Sequence, residues 1–147
     1  MGRVAISYWG PSGWTFLHAT SYSYPEYPTE TEKNDMSHFI TYFAKVLPCK
    51  KCREDFALFL AKNFGERKRG AILKTKRTLV EFLIDAHNYV NNKLGKRIFS
   101  YKEVDNLYLG NGFPARCCTI LILIIIIIVM ICLKRRVINT NSLKLYL

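Results

Sequence analysis

Residues 36–60 read MSHFITYFAKVLPCKKCREDFALFL, and the spacing of their apolar side chains predicts two consecutive helices. In the first half, apolar residues recur every three or four positions, at Met36, Phe39, Ile40, Phe43 and Leu47. Pro48 ends this helix, because its ring cannot continue the helical hydrogen bonds, and it suits the first position of the next one. In the second half, one helical face carries Cys49, Cys52, Phe56, Phe59 and Leu60. The stretch therefore predicts a pair of helices with two cysteines at the start of the second.

Another helix is predicted before this pair. Trp14, His18 and Tyr22 are spaced by four residues, which places them on one face of a helix. Pro25 and Pro28 follow, and proline cannot continue a helix. The first helix is therefore predicted around Trp14, with its end before the two prolines.

A fourth helix is predicted after residues 63–74, which form a polar and basic connection. Thr75 or Thr78 can cap its first turn, and Gly95 is a natural stop. Its core-facing stripe consists of Leu79, Phe82, Leu83, Ala86, Val90 and Leu94. This regular stripe predicts that the helix packs against the other three.

A short fifth helix is predicted over residues 104–109. Ser100 and Glu103 have the spacing of a capping box, which satisfies the free N–H groups of a helix start. No alternating strand pattern and no internal repeat occur in the sequence. The sequence therefore predicts an all-α fold, a four-helix bundle plus a short fifth helix, within a domain of residues 1–112.

The C-terminal third has a different composition. Every residue of 117–133 except Thr119 is apolar or cysteine, and basic residues follow directly at 134–136. A helix rises ~1.5 Å per residue, so a run of this length can cross the hydrocarbon layer of a bilayer. We expect one transmembrane helix over residues 113–133 and a basic tail over residues 134–147.

The position of this segment predicts how the chain is oriented. Residues 1–9 lack the charged start and apolar run of a signal peptide, so a single C-terminal span predicts a tail anchor. The domain of residues 1–112 would then face the cytosol. Both flanks of the span are basic, so the positive-inside rule does not decide the orientation.

The chain is strongly basic, with a formal net charge of +11 at pH 7. Such a charge favours contact with nucleic acid or with an anionic membrane surface. The lysines and arginines are scattered, however, apart from the cluster at residues 67–69. This distribution favours a solvated basic face beside a membrane or an anionic cofactor, and nucleic-acid binding is not predicted.

The sequence Cys49-Lys50-Lys51-Cys52 carries the chemistry. Two cysteines three residues apart at a helix start can form a disulfide with little rearrangement of the chain. The partial positive charge of the helix N-terminus and the neighbouring lysines favour the thiolate form. A thiolate is both the attacking and the leaving group of disulfide exchange, so the pair is predicted to be redox-active.

Three other readings of this motif are less consistent with the sequence. A zinc site needs about four ligands, and no second cysteine pair with finger-like spacing accompanies Cys49 and Cys52. A thioredoxin-like site needs a preceding strand, whereas a helix is predicted here. A purely structural disulfide across three residues closes almost no loop and would contribute little stability. No metal site is therefore predicted.

The fourth predicted helix ends in a second motif, HNYVNNKLGK, at residues 87–96. His87 and Asn91 lie one turn apart, with Asn88 beside them, and could stack on and hydrogen-bond a flat polar ligand. Lys93 and Lys96 follow at the helix end, where they could neutralise phosphates. A core histidine with lysines that complement the helix dipole is the alternative for this motif.

A third motif, WGPSGW, occupies residues 9–14, and His18 follows one turn later. A large aromatic ring near a histidine could hold an adenine or flavin ring, although such residues commonly form only a core. The glycine-rich fingerprint of a Rossmann fold is absent from the sequence. Any dinucleotide would therefore be bound between helices.

Together, the three motifs resemble the Erv/ALR family of FAD-linked sulfhydryl oxidases. The motifs WGPxxWxxxH, PCxxC and HNxVNxxLGK occur in the family's order over residues 7–109. The small size and the predicted membrane anchor are similar to the versions encoded by large cytoplasmic DNA viruses. The resemblance implies a helical bundle that binds FAD, forms a homodimer and oxidises thiols of protein substrates, with molecular oxygen as the electron acceptor.

The resemblance also implies a role for each matching residue. Trp14 and His18 would line the adenine side of FAD, with Gly10 in the preceding turn. The fourth helix would contact the cofactor, and the residues concerned are His87, Asn88, Val90 and Asn91. Lys96 would lie near the phosphates. Cys52 would pack against the flavin, and Cys49 would meet the incoming thiol.

Two features depart from the family pattern. Members commonly carry a tyrosine directly before the proline of the PCxxC motif, and here Leu47 occupies that position. Many members carry a second, shuttling cysteine pair, whereas the remaining cysteines here are Cys117, Cys118 and Cys132. For these we expect burial or lipid attachment at the membrane rather than electron relay.

Two functions from other classes remain open. A membrane-anchored helical adaptor without enzymatic activity would bind no flavin and would be colourless. A basic, membrane-tethered nucleic-acid binder would show salt-dependent DNA binding that does not require Cys49 or Cys52. Neither accounts for the occurrence of all three motifs in one chain.

Overall fold

The computed structural model describes residues 4–110 and Met130, and the described chain is helical. Its six helices are α1 (Ile6–Tyr22), α2 (Glu30–Val46), α3 (Lys50–Asn63), α4 (Glu66–Ile72), α5 (Lys76–Lys93) and α6 (Tyr101–Tyr108). No strand occurs among the described residues. The all-α class is therefore confirmed, with one helix more than the sequence predicted.

Side-chain caps set where the helices begin. Thr29 and Glu32 form a capping box at the start of α2, and Thr75 forms one with Thr78 at the start of α5. At the other end of α5, Gly95 has a φ of +62°. This left-handed conformation is accessible to glycine at little cost, so the chain turns there as predicted.

Two local predictions were wrong. The polar connection at residues 63–74 contains helix α4, which has no buried residue of its own and hence no apolar stripe to reveal it. Gly10 lies inside α1 rather than in a turn before it, because the helix already begins at Ile6 and continues through Pro11. Pro11 is the sixth residue of α1, beyond the first turn, so the Ser7 carbonyl receives no N–H from it.

One apolar core joins the helices. Fully buried side chains from α1, α2, α3 and α5 meet in it, among them Leu17, Ile40, Phe56 and Leu83. A second, smaller cluster forms where α6 packs on α5, around Val80, Ile84 and Val104. The six helices belong to one compact unit that ends at Tyr108.

Helix α6 is attached by polar contacts as well as by packing. The Tyr22 hydroxyl donates a 2.6 Å hydrogen bond to Asp105, and Arg77 donates one of 2.7 Å to the same carboxylate. Ser100 and Glu103 form the predicted reciprocal cap at the start of the helix. These contacts fix α6 against α1 and α5.

Within the part of the chain that the structure describes, no helix is both long enough and apolar enough to cross a membrane. The predicted span at residues 113–133 and the basic tail at 134–147 lie outside the described residues, apart from Met130. They stay predictions from the sequence.

Candidate active site

Cys49 and Cys52 form a disulfide at the start of α3, with their Cα atoms 5.1 Å apart. Cys49 is the N-cap of the helix, and its sulfur accepts a 3.2 Å hydrogen bond from the backbone N–H of Cys52. Both residues are half-buried, and Cys52 packs against the apolar core. The pair is therefore fixed at one end of a helix, with Cys52 on its inner side.

The surroundings of the disulfide are positively charged. Lys50 is largely exposed and lies 3.9 Å from Glu54, too far for a strong ion pair. Arg53 donates a hydrogen bond to the carbonyl of Leu47, which fixes the turn that precedes the pair. The helix N-terminus and these cations favour negative charge on a sulfur that leaves the disulfide.

The disulfide forms part of the wall of a cavity of about 870 Å³. Side chains from α1, α3, α5 and α6 line this cavity, together with Phe43 and Leu47 from the α2 region. Small-molecule sites in proteins commonly measure about 300–1,000 Å³, so the cavity can take a large ligand. Its wall is mainly apolar, with a few polar groups at defined places.

Aromatic rings form one side of the cavity. The Trp14 and His87 rings are stacked with centroids 4.1 Å apart and an interplanar angle of 6°. Phe56 meets the Trp14 ring edge-on at 5.9 Å. Flat, closely packed rings of this kind suit the stacking of a heteroaromatic ligand.

Two histidines face each other in this wall, with His18 Nε2 3.0 Å from His87 Nδ1. Burial lowers the pKa of His18 to about 4. Burial, followed by the neighbouring charges of His18 and Lys96, lowers the pKa of His87 to about 4. Both rings are therefore neutral near pH 7, and one donates to the other.

Two buried polar atoms on the cavity wall have no hydrogen-bond partner within the described residues. They are His18 Nδ1 and Trp9 Nε1. An unpaired buried polar atom costs about 1–3 kcal/mol. Neither atom has an exposed surface, so neither faces the open cavity.

The cavity also carries lysines from α3 and from the end of α5. Lys51, Lys93 and Lys96 all contribute to its lining. Lys93 donates a 2.6 Å hydrogen bond to Asp55 and is partly neutralised. Lys96 follows the turn at Gly95, where its backbone N–H donates a 2.8 Å hydrogen bond to the carbonyl of Asn91. These cations suit a ligand that carries phosphates.

Residues 11–109 match the model of the Erv1/Alr family. The matched range includes Cys49, Cys52 and every helix except the first turns of α1. This chain belongs to the Erv1/Alr family.

Named relatives of this Erv1/Alr chain include cellular and viral proteins. The mitochondrial FAD-linked sulfhydryl oxidase erv1 of Schizosaccharomyces pombe is 43% identical over 91 residues, which cover 62% of this chain and 48% of the relative. The probable FAD-linked sulfhydryl oxidase of Acanthamoeba polyphaga mimivirus is 40% identical over 95 residues, which cover 65% of this chain and 64% of the relative. The FAD-linked sulfhydryl oxidase of an African swine fever virus isolate is 32% identical over 101 residues, which cover 69% of this chain and 80% of the relative.

The fold agrees with solved structures of the same family. The crystal structure of the yeast Erv1 core superposes with a TM-score of 0.65 at 29% identity, over 74% of this chain and 86% of that one. The FAD-binding domain of Saccharomyces cerevisiae Erv1 gives a TM-score of 0.65 at 30% identity, over 71% of this chain and 94% of that one. The chain spans about half the length of several full-length curated relatives, for instance 48% of the S. pombe protein and 44% of the S. cerevisiae protein.

Most of the predicted site residues of this Erv1/Alr chain lie on one cavity. The wall includes Gly10, Trp14, His18, Cys49, Cys52, His87, Val90, Asn91 and Lys96. Asn88 is placed differently, since its side-chain amide donates to the carbonyl of Phe99 at 2.8 Å and accepts from the Phe99 N–H at 3.0 Å. The predicted contact of Asn88 with a cofactor stays a prediction. In the structure, the Asn88 side chain anchors the segment after α5.

Other wall residues were not identified from the sequence as site residues. Phe43, Leu47 and Phe56 read as ordinary core positions, because a helical apolar stripe looks the same beside a cavity as in a filled core. Trp9 was part of the WGPSGW motif but was given no role of its own. Tyr108 comes from α6, far away in sequence. Among these wall residues, only Trp9, with its N–H donor, carried a sequence signal that could have marked it as a site residue.

Proposed function

We propose that this chain is an FAD-dependent thiol oxidase that forms disulfide bonds in protein substrates and passes the electrons to molecular oxygen, giving hydrogen peroxide. The proposal rests mainly on one observation: the Cys49–Cys52 disulfide lies on the same cavity wall as the Trp14–His87 stack. A redox-active pair beside a large aromatic site is the arrangement that two-electron transfer to a flavin requires. The relatives' names, which include FAD-linked sulfhydryl oxidases, support the proposal.

The residues of the cavity fit FAD. Trp14, His18 and His87 offer stacking surfaces and ring nitrogens, Asn91 a buried amide, and Lys96 a cation for the phosphates. When bound there, FAD takes up the two electrons of a reduced cysteine pair and delivers them to oxygen. Because both histidines are neutral, they bind without adding positive charge to the ring-stacking part of the site.

The first half of the proposed cycle takes place at the sulfur atoms. A substrate thiolate attacks the Cys49 sulfur, the bond between Cys49 and Cys52 breaks, and Cys52 leaves as a thiolate. The helix N-terminus and the adjacent lysines stabilise this thiolate. Cys49, as the N-cap, precedes the helix and is the more suitable of the two to meet a protein substrate.

The second half releases the product. The substrate's second thiolate attacks the mixed disulfide, so that the substrate leaves oxidised and Cys49 leaves reduced. Cys49 and Cys52 then give up two electrons and two protons, and their disulfide forms again. Over the whole cycle one dithiol and one oxygen molecule become one disulfide and one hydrogen peroxide molecule.

A direct test uses the full chain, purified in detergent and loaded with FAD. With a small dithiol as substrate, we expect oxygen uptake and hydrogen peroxide formation in a ratio of about one to one. The matched control replaces both Cys49 and Cys52 by serine, and it should bind FAD but consume no oxygen. Flavin-loaded wild-type protein that oxidises no dithiol would contradict the proposal.

We further propose that residues 113–133 anchor the domain in a membrane with the catalytic domain on the cytosolic side, as on a host or virion membrane. The apolar composition of this run supports the proposal. In cells, the full chain should stay with the membranes after alkaline extraction, and a chain ending at residue 112 should be released. Protease added outside intact vesicles distinguishes the two orientations.

We also propose a homodimer. The resemblance to the family supports it, and so do large apolar side chains exposed on α1 and α2, such as Phe16 and Tyr42, each 57% exposed. Sedimentation of the detergent-solubilised chain should give twice the monomer mass. A Phe16→Asp variant should shift it towards the monomer, whereas Leu58→Asp, an equally apolar exposed position on α3, should not.

A further inference from the structure

The chain around the disulfide is basic. Residues 45–53 carry no acidic side chain and four cationic ones, namely Lys45, Lys50, Lys51 and Arg53. Two of the four are engaged within the site, since Arg53 donates to a backbone carbonyl and Lys51 lines the cavity. The other two, Lys45 and Lys50, are exposed and lie on either side of Cys49 along the chain.

Lys50 carries a charge that its neighbour barely compensates. Its side chain is 83% exposed, and its ammonium group lies 3.9 Å from the carboxylate of Glu54, which is itself 62% exposed. A pair at this distance between two solvated side chains contributes little. Lys50 directly follows Cys49, so the charge lies next to the sulfur that is proposed to meet the substrate.

The surface that precedes the disulfide is open to solvent. Val46, the last residue of α2, is 73% exposed, and Pro48 is exposed as well. Lys45 lies four residues before Cys49, at a distance of at most ~14 Å, which an extended peptide covers in about four residues. Side chains within about four positions of a substrate cysteine are therefore within reach of Lys45 or Lys50.

Acidic side chains near a substrate cysteine have two opposite effects. They raise the pKa of the substrate thiol, which lowers the fraction of attacking thiolate in free solution. Beside Lys45 and Lys50 they are attracted to the enzyme, and the same cations offset their repulsion of the thiolate. An acidic dithiol segment is thus a poor reactant in solution and a good one at this surface.

We propose that Lys45 and Lys50 select protein substrates in which acidic residues lie within about four positions of the reactive cysteine. This inference rests on the proposed function and names the substrate class of the same site. The role in specificity is separate from stabilisation of the Cys52 thiolate, because that stabilisation is the same for every substrate.

The experiment measures kcat/KM of the full chain, purified in detergent and loaded with FAD, for two unstructured dithiol peptides. The peptides differ only in two residues beside the reactive cysteine, which are acidic in one and basic in the other. Each kcat/KM is divided by the rate at which the same peptide reduces a small neutral disulfide, which corrects for the intrinsic reactivity of its thiols.

The ratio of the two corrected values, acidic over basic, is the charge preference of the enzyme. We expect a charge preference of about ten at low salt, because each exposed charge pair contributes up to about fivefold. It should fall towards one in 1 M salt, where exposed charges are screened.

Charge reversal at the two lysines tests whether the preference is local. In Lys50→Glu the charge preference should fall at least threefold, and in the double variant Lys45→Glu/Lys50→Glu it should be one or below. An acidic side chain suits the first turn of α3, so the variant keeps the helix start. A loss of thiolate stabilisation lowers kcat/KM for both peptides equally and leaves their ratio unchanged.

Lys76→Glu is the matched control. Lys76 begins α5 as Lys50 begins α3, so the change in charge and the position in the helix are the same. Lys76 lies ~25 Å along α5 from Lys93, which contacts Asp55, three residues after Cys52. The charge preference should therefore stay within twofold of the wild-type value in this variant.

The inference and the proposed function fail in distinguishable ways. If the wild-type chain oxidises a small neutral dithiol but has a charge preference of one, the inference is wrong and the proposed function stands. Equal losses of preference in Lys50→Glu and Lys76→Glu would also overturn the inference, because the net charge of the chain would then account for the preference. If the wild-type chain oxidises neither the peptides nor the small dithiol, both are wrong.

Discussion

At the scale of single residues, Cys49 and Cys52 differ in position although they form one disulfide. Cys49 caps α3, whereas Cys52 lies in its first turn and packs on the core. We predict that Cys52→Ser leaves Cys49 able to form a mixed disulfide with an oxidised substrate peptide. Cys49→Ser should accumulate no such species, and both variants should lose dithiol oxidation down to the uncatalysed background.

Mass spectrometry of each variant after incubation with the peptide tests these roles. The two serine variants serve as controls for each other, because each keeps one thiol at the same helix start. Accumulation of the mixed disulfide on Cys52 alone would reverse the assigned order of attack.

The two buried histidines predict a pH dependence of stability. Their pKa values in the folded protein are about 4, below the ordinary value of 6.5, mainly because of burial. Between these values the unfolded chain binds more protons than the folded one, so stability falls as the pH is lowered from 6.5 towards 4. Because the rings share a hydrogen bond, they should titrate as a pair.

Melting temperatures of the full chain between pH 7 and 5 test this dependence. The wild-type melting temperature should fall across that range, and a His87→Gln variant should show a shallower fall because one buried titrating ring is gone. If the melting temperatures of the two proteins fell equally between pH 7 and 5, other groups would account for the loss of stability in acid.

Side-chain types indicated which residues belong to the site, but not which way each one points. Asn88 and Asn91 occur in one motif, and the sequence predicted both as cofactor contacts. In the structure Asn91 is buried on the cavity wall, and Asn88 is engaged with the backbone of Phe99. That difference depends on the path of the chain after α5, which side-chain periodicity does not determine.

At the scale of helices, α6 is the element whose attachment rests most on polar contacts. Asp105, whose side chain is 22% exposed, accepts hydrogen bonds from Tyr22 and Arg77. Burial, and then the contact with Asp105, raises the pKa of the Tyr22 hydroxyl, which stays protonated and donates. We predict that Asp105→Ala destabilises the fold by about 1 kcal/mol, because these donors lose their common acceptor.

Urea denaturation of the full chain measures this loss. Glu81→Gln is the matched control, since it weakens only the pair with Arg77, in which both side chains are at least 36% exposed. It should change stability by less than about 0.5 kcal/mol. Asp105→Ala should also release FAD faster, because Leu107 and Tyr108 of α6 line the cavity. Equal effects of the two variants would contradict the role given to Asp105.

The limits of helices were predictable where a cap or a strong apolar stripe was present. The Ser100–Glu103 cap and the stop at Gly95 follow from local chemistry and were found as predicted. Helix α4 was missed, since its exposed, basic sequence with an internal glycine is also typical of a loop. Its position becomes clear only from the chain on either side, where Phe64 and Leu73 are buried.

At the scale of the whole molecule, the bundle could be predicted but the cavity could not. Apolar periodicity shows that four helices bury one face each, and the structure agrees. The same pattern does not show that the bundle leaves about 870 Å³ between α1, α3, α5 and α6. The resemblance to a cofactor-binding family was the evidence for such a space.

The visible absorption spectrum of the purified full chain, recorded during anaerobic titration with a dithiol, tests the central claim most directly. We predict a yellow protein whose flavin bands are bleached by about one equivalent of dithiol and return when oxygen is admitted. The variant with serine at both Cys49 and Cys52 should keep its flavin bands under the same titration. A folded, colourless protein that takes up no added FAD would contradict the account.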